Sequence, residues 1–461
     1  MTPGKRVAGQ SEPELVTFAS EAGQCVPWTQ RGRKTVVRFA RRRIAERHRP
    51  YASETGRKRE QLGNSTKRYG ERIEQLQQVL RERRLAGALL FYSRDILYYT
   101  GTAQPAYFVV LPDDHRLFVR RGYAFACSEC ALDSERVVAE SSIAKICAQM
   151  FPGAGAGEKV GSELDLLSVA QAGGVQRALN QRELVDISAD ILRQRMIKDE
   201  AEVDSVAKAC SAVHAGHLAL IAGARAGMSE LELAALIENA QRLAGHEGAY
   251  FMRGLDSGMG RGPLASGPNL RRTSGVAYTI TGTGMSSAVP GGPSRRRVER
   301  GDLLVVDIPA CIEGYHADQS RSYALEAFPA GAVDLFARLR AVSDRVIAGI
   351  SCGMKTGEVY ALAEDHANHL GLGSAFLGFE AQPRAHFVGH GVGLEINEPP
   401  LLVRNGQEVL EAGMVLAIEM HVMQAGGHTV KIEDTVHLTP TGIEMLSLSA
   451  RELSLAGAAC A

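Results

Sequence analysis

No stretch of about eighteen uninterrupted apolar residues occurs in this chain, so a membrane-spanning helix is not expected. Net charge is absent too: lysine plus arginine and aspartate plus glutamate each number 52, which removes any overall bias toward nucleic acid or an acidic membrane. Cysteine is sparse. Eight over 461 residues do not make the dense framework of a secreted disulfide scaffold, so a reducing cytoplasm is the expected setting. Cys127 and Cys130 form a lone Cys-x-x-Cys with no second pair or histidine cluster nearby, and read as structural or incidental rather than as a zinc knuckle. The N-terminus lacks an apolar core followed by small residues, so a secretory signal is not supported.

What is present is unevenly placed. Residues 1–68 hold sixteen basic against six acidic side chains and no sustained apolar period, which predicts a disordered extension. A nucleic-acid arm or a transit peptide would share that composition. From Tyr69 an apolar spacing through Ile73, Leu76, Val79 and Leu80 predicts a helix, followed by strands at Ala88–Tyr92, Tyr107–Leu111 and Arg116–Val119. Residues 69–195 therefore read as a smaller α/β domain. No catalytic constellation lies in it, and substrate fencing or dimerisation is its expected job. A long helix starts near Asp199 and a second at Ser229, with Glu232 as capping-box partner. Beyond them the period changes from 3.6 to 2, giving strands at Leu303–Ile308, Ser320–Leu325, Met414–Val422 and Thr429–Leu438. The second domain is expected over 196–450, with 451–461 as a tail.

Those strands carry charges where a core should be apolar. Asp307 ends Leu303-Leu304-Val305-Val306, and Asp318 follows at a distance suited to a returning strand. Turn aspartates would explain that pair alone. Glu419 closes Met414-Val415-Leu416-Ala417-Ile418, Glu433 interrupts Val430-Lys431-Ile432, and His390 sits among Gly389, Gly391 and Gly393. Buried, unpaired carboxylates cost several kcal/mol each, so three acidic strands beside a glycine-caged histidine would be an expensive fold without metal.

The ordered set of Asp, Asp, His, Glu and Glu, with Val-Val-Asp, His-x-x-x-His-Gly-x-Gly, Met-Val-Leu-Ala-Ile-Glu and Ile-Glu-Asp-Thr around them, resembles the metallopeptidase family of methionine aminopeptidases, Xaa-Pro aminopeptidases, prolidases and creatinase. The preceding domain resembles the creatinase-type N-terminal domain, chiefly through Ile96-Leu97-Tyr98-Tyr99-Thr100-Gly101. The resemblance implies an α+β pita-bread catalytic domain behind a smaller α/β domain. It implies two divalent ions (manganese, iron, cobalt or zinc, with manganese favoured by the oxygen-rich set) on Asp307, Asp318, His390, Glu419 and Glu433. It also implies Glu419 as the proton-handling group, His386 as a substrate-facing histidine, and a homodimer. A packing role would equally suit His386, a single imidazole beside an aromatic.

Three positions depart from the peptidase pattern. A Pro-His-Gly histidine is replaced in Pro290-Gly291, a second substrate-facing histidine becomes Asn397, and an arginine two residues before the bridging glutamate becomes Lys431. These changes spare the ligands and strike substrate contacts. The expected activity is hydrolysis of a small peptide or peptide-like amide, with Asn397 as a hydrogen-bond donor that cannot shuttle a proton. A metal-dependent lyase or non-peptide amide hydrolase is the first alternative, and a non-catalytic interaction protein the second.

Overall fold

Period-2 alternation sorts the first domain's apolar residues onto two faces of one sheet. The computed structural model describes residues 55–254, 261–274, 279–380 and 382–457. Strands β1 (Gly87–Leu90), β2 (Ala106–Val110), β3 (His115–Val119), β4 (Val137–Ala139), β5 (Lys159–Ser162) and β6 (Glu183–Asp186) form a mixed sheet in the order β4-β3-β2-β1-β5-β6. Ala88, Leu90, Phe108, Val110, Leu117 and Val119 pack on one face with Ile73, Leu76 and Leu80 of helix Thr55–Glu82. Leu89, Val109 and Phe118 pack on the other face with Ile146, Cys147 and Met150.

That first helix begins at Thr55, ahead of the boundary expected at Tyr69. Residues 55–68 therefore belong to a helix rather than to an irregular extension. Arg, Lys, Glu and Gln are good helix formers, so the packed helix propagates backward without an apolar stripe. The expectation for residues 1–54 lies outside the described residues. Cys127 is exposed and Cys130 partly buried, and both are free thiols, in keeping with an incidental pair.

The second half is built from two sheets. One runs β17-β11-β8-β7, from β7 (Leu264–Ser266), β8 (Leu303–Asp307), β11 (Ser320–Leu325) and β17 (Ser454–Ala456). The other runs β13-β12-β14-β15-β16, from β12 (Phe387–Gly391), β13 (Glu398–Val403), β14 (Val415–Met423), β15 (Thr429–Thr439) and β16 (Gly442–Met445). A small hairpin, β9 (Ala310–Ile312) and β10 (Tyr315–Ala317), lies between β8 and β11. Helices Ala332–Gly349 and Thr356–His369 contribute Leu335, Leu339, Val359 and Ala363 to the largest core cluster, which also holds Leu416 and Ile418 of β14.

Helix Glu200–Gly223 opens with the Asp199–Glu202 capping box, and helix Glu230–Leu243 with the expected Ser229–Glu232 box. Among the described residues Glu200–Gly223 is the one helix long and apolar enough to cross a membrane by length and composition. Its Val206, Cys210 and Val213 instead pack in a core cluster with Ala310, Ala317, Val392 and Val415.

A buried ion network ties the N-terminal sheet region to the loop that leads from β12 into β13. Arg195 reaches Asp95 at 2.7 Å, Glu395 at 2.9 Å and Glu398 at 2.5 Å, while Lys198 takes the other Glu398 oxygen at 2.7 Å. Arg253 adds a contact to Asp95 at 3.1 Å. Each member stands near zero exposure except Arg253, so removing one cation strands several carboxylates. Arg195→Met is expected to lower unfolding stability by about 3–5 kcal/mol, read from the shift in denaturant midpoint. Adding Glu398→Gln should recover part of the loss, and a change below about 1 kcal/mol in Arg195→Met would contradict this role.

Candidate metal centre

The β14–β15 ladder sets Glu419 directly opposite Glu433, and the β12–β14 ladder sets His390 opposite Ala417. Because side chains alternate along a strand, His390, Glu419, Lys431 and Glu433 all emerge on one face of this sheet. Asp307 and Asp318 come from the other sheet. Asp307 ends β8 paired with Ser320, and the β9–β10 hairpin returns the chain so that Asp318 falls just before β11. Thr435 of β15 clamps that return: its hydroxyl accepts from the Asp318 backbone N–H at 3.0 Å and donates to the Asp318 carbonyl at 2.5 Å. Arg321 braces the same strand, donating to the Glu433 carbonyl and to the Asp434 carboxylate, each at 2.5 Å.

The glycines beside His390 are required by close approach. A Cβ at Gly389 would stand 2.2 Å from the Ala417 carbonyl oxygen, and one at Gly391 would stand 2.2 Å from that of Pro399. Strands β13 and β14 therefore close on β12 as they could on no other residue type. His390 Nδ1 lies 3.0 Å from the Gly391 carbonyl and donates to it, which leaves Nε2 as the acceptor that faces the carboxylates. Nε2 is 3.5 Å from Glu419 and 3.9 Å from both Asp318 and Glu433.

All five expected ligands are buried, with Asp318 and Glu419 the most exposed at 8%. Asp318, His390 and Glu433 each offer a donor atom within 4.8 Å of the others. Asp318 Oδ1 and both Glu433 carboxylate oxygens have no hydrogen-bond partner. Buried carboxylate oxygens are rarely left so, and carboxylates of Asp318, Glu419 and Glu433 converging within 3.9 Å of one imidazole nitrogen fit a divalent ion.

One cation is already supplied by the chain. Lys431 Nζ lies 2.6 Å from Asp307, 2.7 Å from Glu419, 3.3 Å from Glu433 and 2.7 Å from the Thr279 hydroxyl, with its side chain 2% exposed. The electrostatics follow from that placement. Burial would raise Glu419, but Lys431 and His390 beside it take the carboxyl down to about 2. Burial, then neighbouring Asp307, pushes Asp318 up to about 7. Burial and Asp318 together push Glu433 well above the ordinary carboxylate range. Lys431 thus bonds Asp307 and Glu419 closely and Glu433 at longer range, while Asp318 has no such partner in the ammonium.

Not every expected site residue joins the cluster. His386 is exposed just ahead of β12, with its ring edge-on to Phe387, and Asn397 is exposed in the loop between β12 and β13. Gly291 lies in a loop whose next residue, Gly292, donates its N–H to the Thr281 carbonyl at 2.7 Å. Lys431 belongs to the buried cluster itself, a role its sequence reading as a changed substrate contact did not anticipate. Counting two residues back from Glu433 would have placed it on the ligand face. His421, opposite Lys431 in the ladder, is also buried on that face and holds the Gly378 carbonyl at 3.0 Å.

The chain is similar to known proteins along most of its length. The model of metallopeptidase family M24 matches residues 204–440, and that of the creatinase/prolidase N-terminal domain matches residues 72–197. The Xaa-Pro dipeptidase of Pyrococcus furiosus is 27% identical over 389 residues, covering 83% of this chain and 99% of that protein. A probable dipeptidase PepE of Mycobacterium bovis is 29% identical over 63% of this chain and 67% of its own length. Among solved structures, the Xaa-Pro dipeptidase from Bacillus anthracis superimposes with a TM-score of 0.71 at 25% identity, covering 84% of this chain and 99% of that one. With a creatinase/prolidase-type N-terminal domain ahead of the two-sheet half that carries the acidic cluster, this chain belongs to metallopeptidase family M24, a family of metal-dependent hydrolases.

Proposed function

We propose that the chain is a divalent-metal-dependent peptidase acting on a short peptide or a peptide-like amide, with its reaction at the cleft of Asp307, Asp318, His390, Glu419 and Glu433. The convergence of the buried Asp318, Glu419 and Glu433 carboxylates on His390 Nε2 carries this reading. Asp318, His390, Glu419 and Glu433 would hold the ion, and Asp307 completes the set while engaged by Lys431. Oxygen-rich donors with one imidazole favour manganese over a thiolate-seeking ion. When bound, such an ion polarises a carbonyl and makes a nearby water more acidic. The dipeptidase names of the relatives support a short peptide as the substrate class.

The chain's own residues divide the remaining work. Glu419, held ionised beside Lys431, is the carboxylate that would accept a proton in the cleft. Ser322 and Thr435 fix the two sheets against each other through Lys431 and Asp318 backbone groups, which keeps the carboxylates from drifting apart. Asn397 can donate one hydrogen bond to a substrate oxygen, and the Gly291 loop presents only backbone. Xaa-Pro selectivity is therefore weakened while the metal cleft is intact.

Two outcomes are expected. Asp318→Ala and Glu433→Ala should each lose bound manganese and reduce peptide hydrolysis by more than the roughly 10²–10³-fold that deleting a single transition-state donor costs. His386→Ala should retain its metal. Full metal content in both carboxylate variants would contradict the ligand assignment, and an alkene product formed without uptake of water would make the protein a lyase.

The second outcome concerns selectivity. The wild-type kcat/KM on Xaa-Pro dipeptides should fall below about 10⁴ M⁻¹s⁻¹. A Cβ at Gly291 would meet nothing closer than 3.8 Å, so a side chain can begin there without a clash. Gly291→His combined with Asn397→His should then raise Xaa-Pro hydrolysis by about 10²-fold or more. Wild-type rates already above that ceiling would show that the substitutions are tolerated.

A further inference from the structure

The acidic cluster is satisfied on one side and unsatisfied on the other. An ammonium has three N–H donors. Those of Lys431 are matched by Asp307 at 2.6 Å, Glu419 at 2.7 Å and Thr279 at 2.7 Å, with Glu433 a further ion-pair partner at 3.3 Å. Away from those three bonds, Asp318 Oδ2 and Glu433 Oε1 each stand 3.9 Å from His390 Nε2, and Glu433 Oε1 has no hydrogen-bond partner. The two sides thus call for different cations.

Lys431 has nowhere else to go. It sits in the middle of the β14–β15 ladder opposite His421, its residue is 1% exposed, and its own N–H is donated to Ser322 in the other sheet. Its ammonium is enclosed by the carboxylates of Asp307, Glu419 and Glu433, all within 3.3 Å. A divalent ion placed between Asp307 and Glu433 would therefore share its ligands with a fixed positive charge a few ångströms away. In a buried site of low effective dielectric that repulsion is large. Arginine would spread its charge over a planar fork, whereas lysine presents a compact point charge that can stand in the ion's own place.

We propose that the Lys431 ammonium replaces one of the two divalent ions, so that the protein holds a single ion between Asp318, His390, Glu419 and Glu433. The inference rests on the metal-dependent reading of the cleft and changes its stoichiometry. The lysine sets one fixed positive charge between Asp307 and Glu419 and leaves one exchangeable ion to the cleft. Asp307 is in this arrangement a partner of Lys431 rather than a metal ligand.

The test is a count of ions in the full chain. Protein stripped of metal is titrated with manganese, desalted and analysed for bound manganese per chain, with electron paramagnetic resonance recorded on the same samples. The wild type should saturate near one ion and give an uncoupled manganese spectrum. Lys431→Gln should take up close to two ions and show exchange coupling between them. Asp307→Asn should keep the single ion, because Asp307 serves the lysine. Two ions with a coupled spectrum in the wild type would overturn the inference while leaving the metal-dependent reading intact. A failure of the wild type to bind manganese would overturn both, and a failure of folded Lys431→Gln to bind a second ion would overturn the inference alone. Should Lys431→Gln fail to fold, the wild-type count and Asp307→Asn decide the matter on their own, since loss of the ion from Asp307→Asn would also overturn it.

Discussion

Two carboxylates held face to face inside a buried antiparallel ladder set the terms for the catalytic half of this protein. Glu419 and Glu433 are paired across β14 and β15, where like charges directly opposite each other are destabilising. Asp318 and Asp307 arrive from the second sheet and add to the repulsion. The surrounding structure is arranged to tolerate that charge. Arg321 anchors β15 from behind, Thr435 grips the Asp318 backbone, and the glycines beside His390 let β12 approach closely enough for its imidazole to face the acids. Such a site is costly in the bare chain, and a cation bound among these carboxylates would offset that cost.

Lysine changes how that cost is met. A permanent internal cation compensates part of the cluster whether or not metal is present, so the bare protein is less strained than one with four uncompensated acids. The consequence for chemistry is asymmetry, with one side of the cluster fixed by an ammonium and the other left for an exchangeable ion. The junction with the N-terminal sheet follows a different rule. There Arg195, Lys198 and Arg253 meet Asp95, Glu395 and Glu398, three cations against three carboxylates supplied by the chain itself. The same currency, buried charge, is balanced internally at the junction and left open at the cleft.

Much of this was legible in the sequence because the fold's periodicities are clean. Alternation placed strands at 303–308, 320–325, 414–422 and 429–438, and each lies within a residue of the observed β8, β11, β14 and β15. The Ser229–Glu232 capping box marked one helix start correctly because its side-chain bonds are local, and the apolar period after Asp199 marked another. Acidic residues inside apolar strands pointed to the cleft for the same reason, since burial of a charge needs a cause. The start of the first helix was placed too late, because helix propensity without an apolar stripe leaves no periodic signal before Tyr69. Lys431 was read as a peripheral substitution because its partners are distant in sequence: Asp307 and Thr279 approach it only through the packing of two sheets. The exposure of His386 and Asn397 depends on loop placement, which periodicity does not encode.

The most direct test is a crystal grown with manganese and measured at the manganese absorption edge. The account predicts one anomalous peak, enclosed by Asp318, His390, Glu419 and Glu433, with Lys431 still bonded to Asp307. Two peaks with Lys431 displaced, or no peak among these side chains, would contradict it.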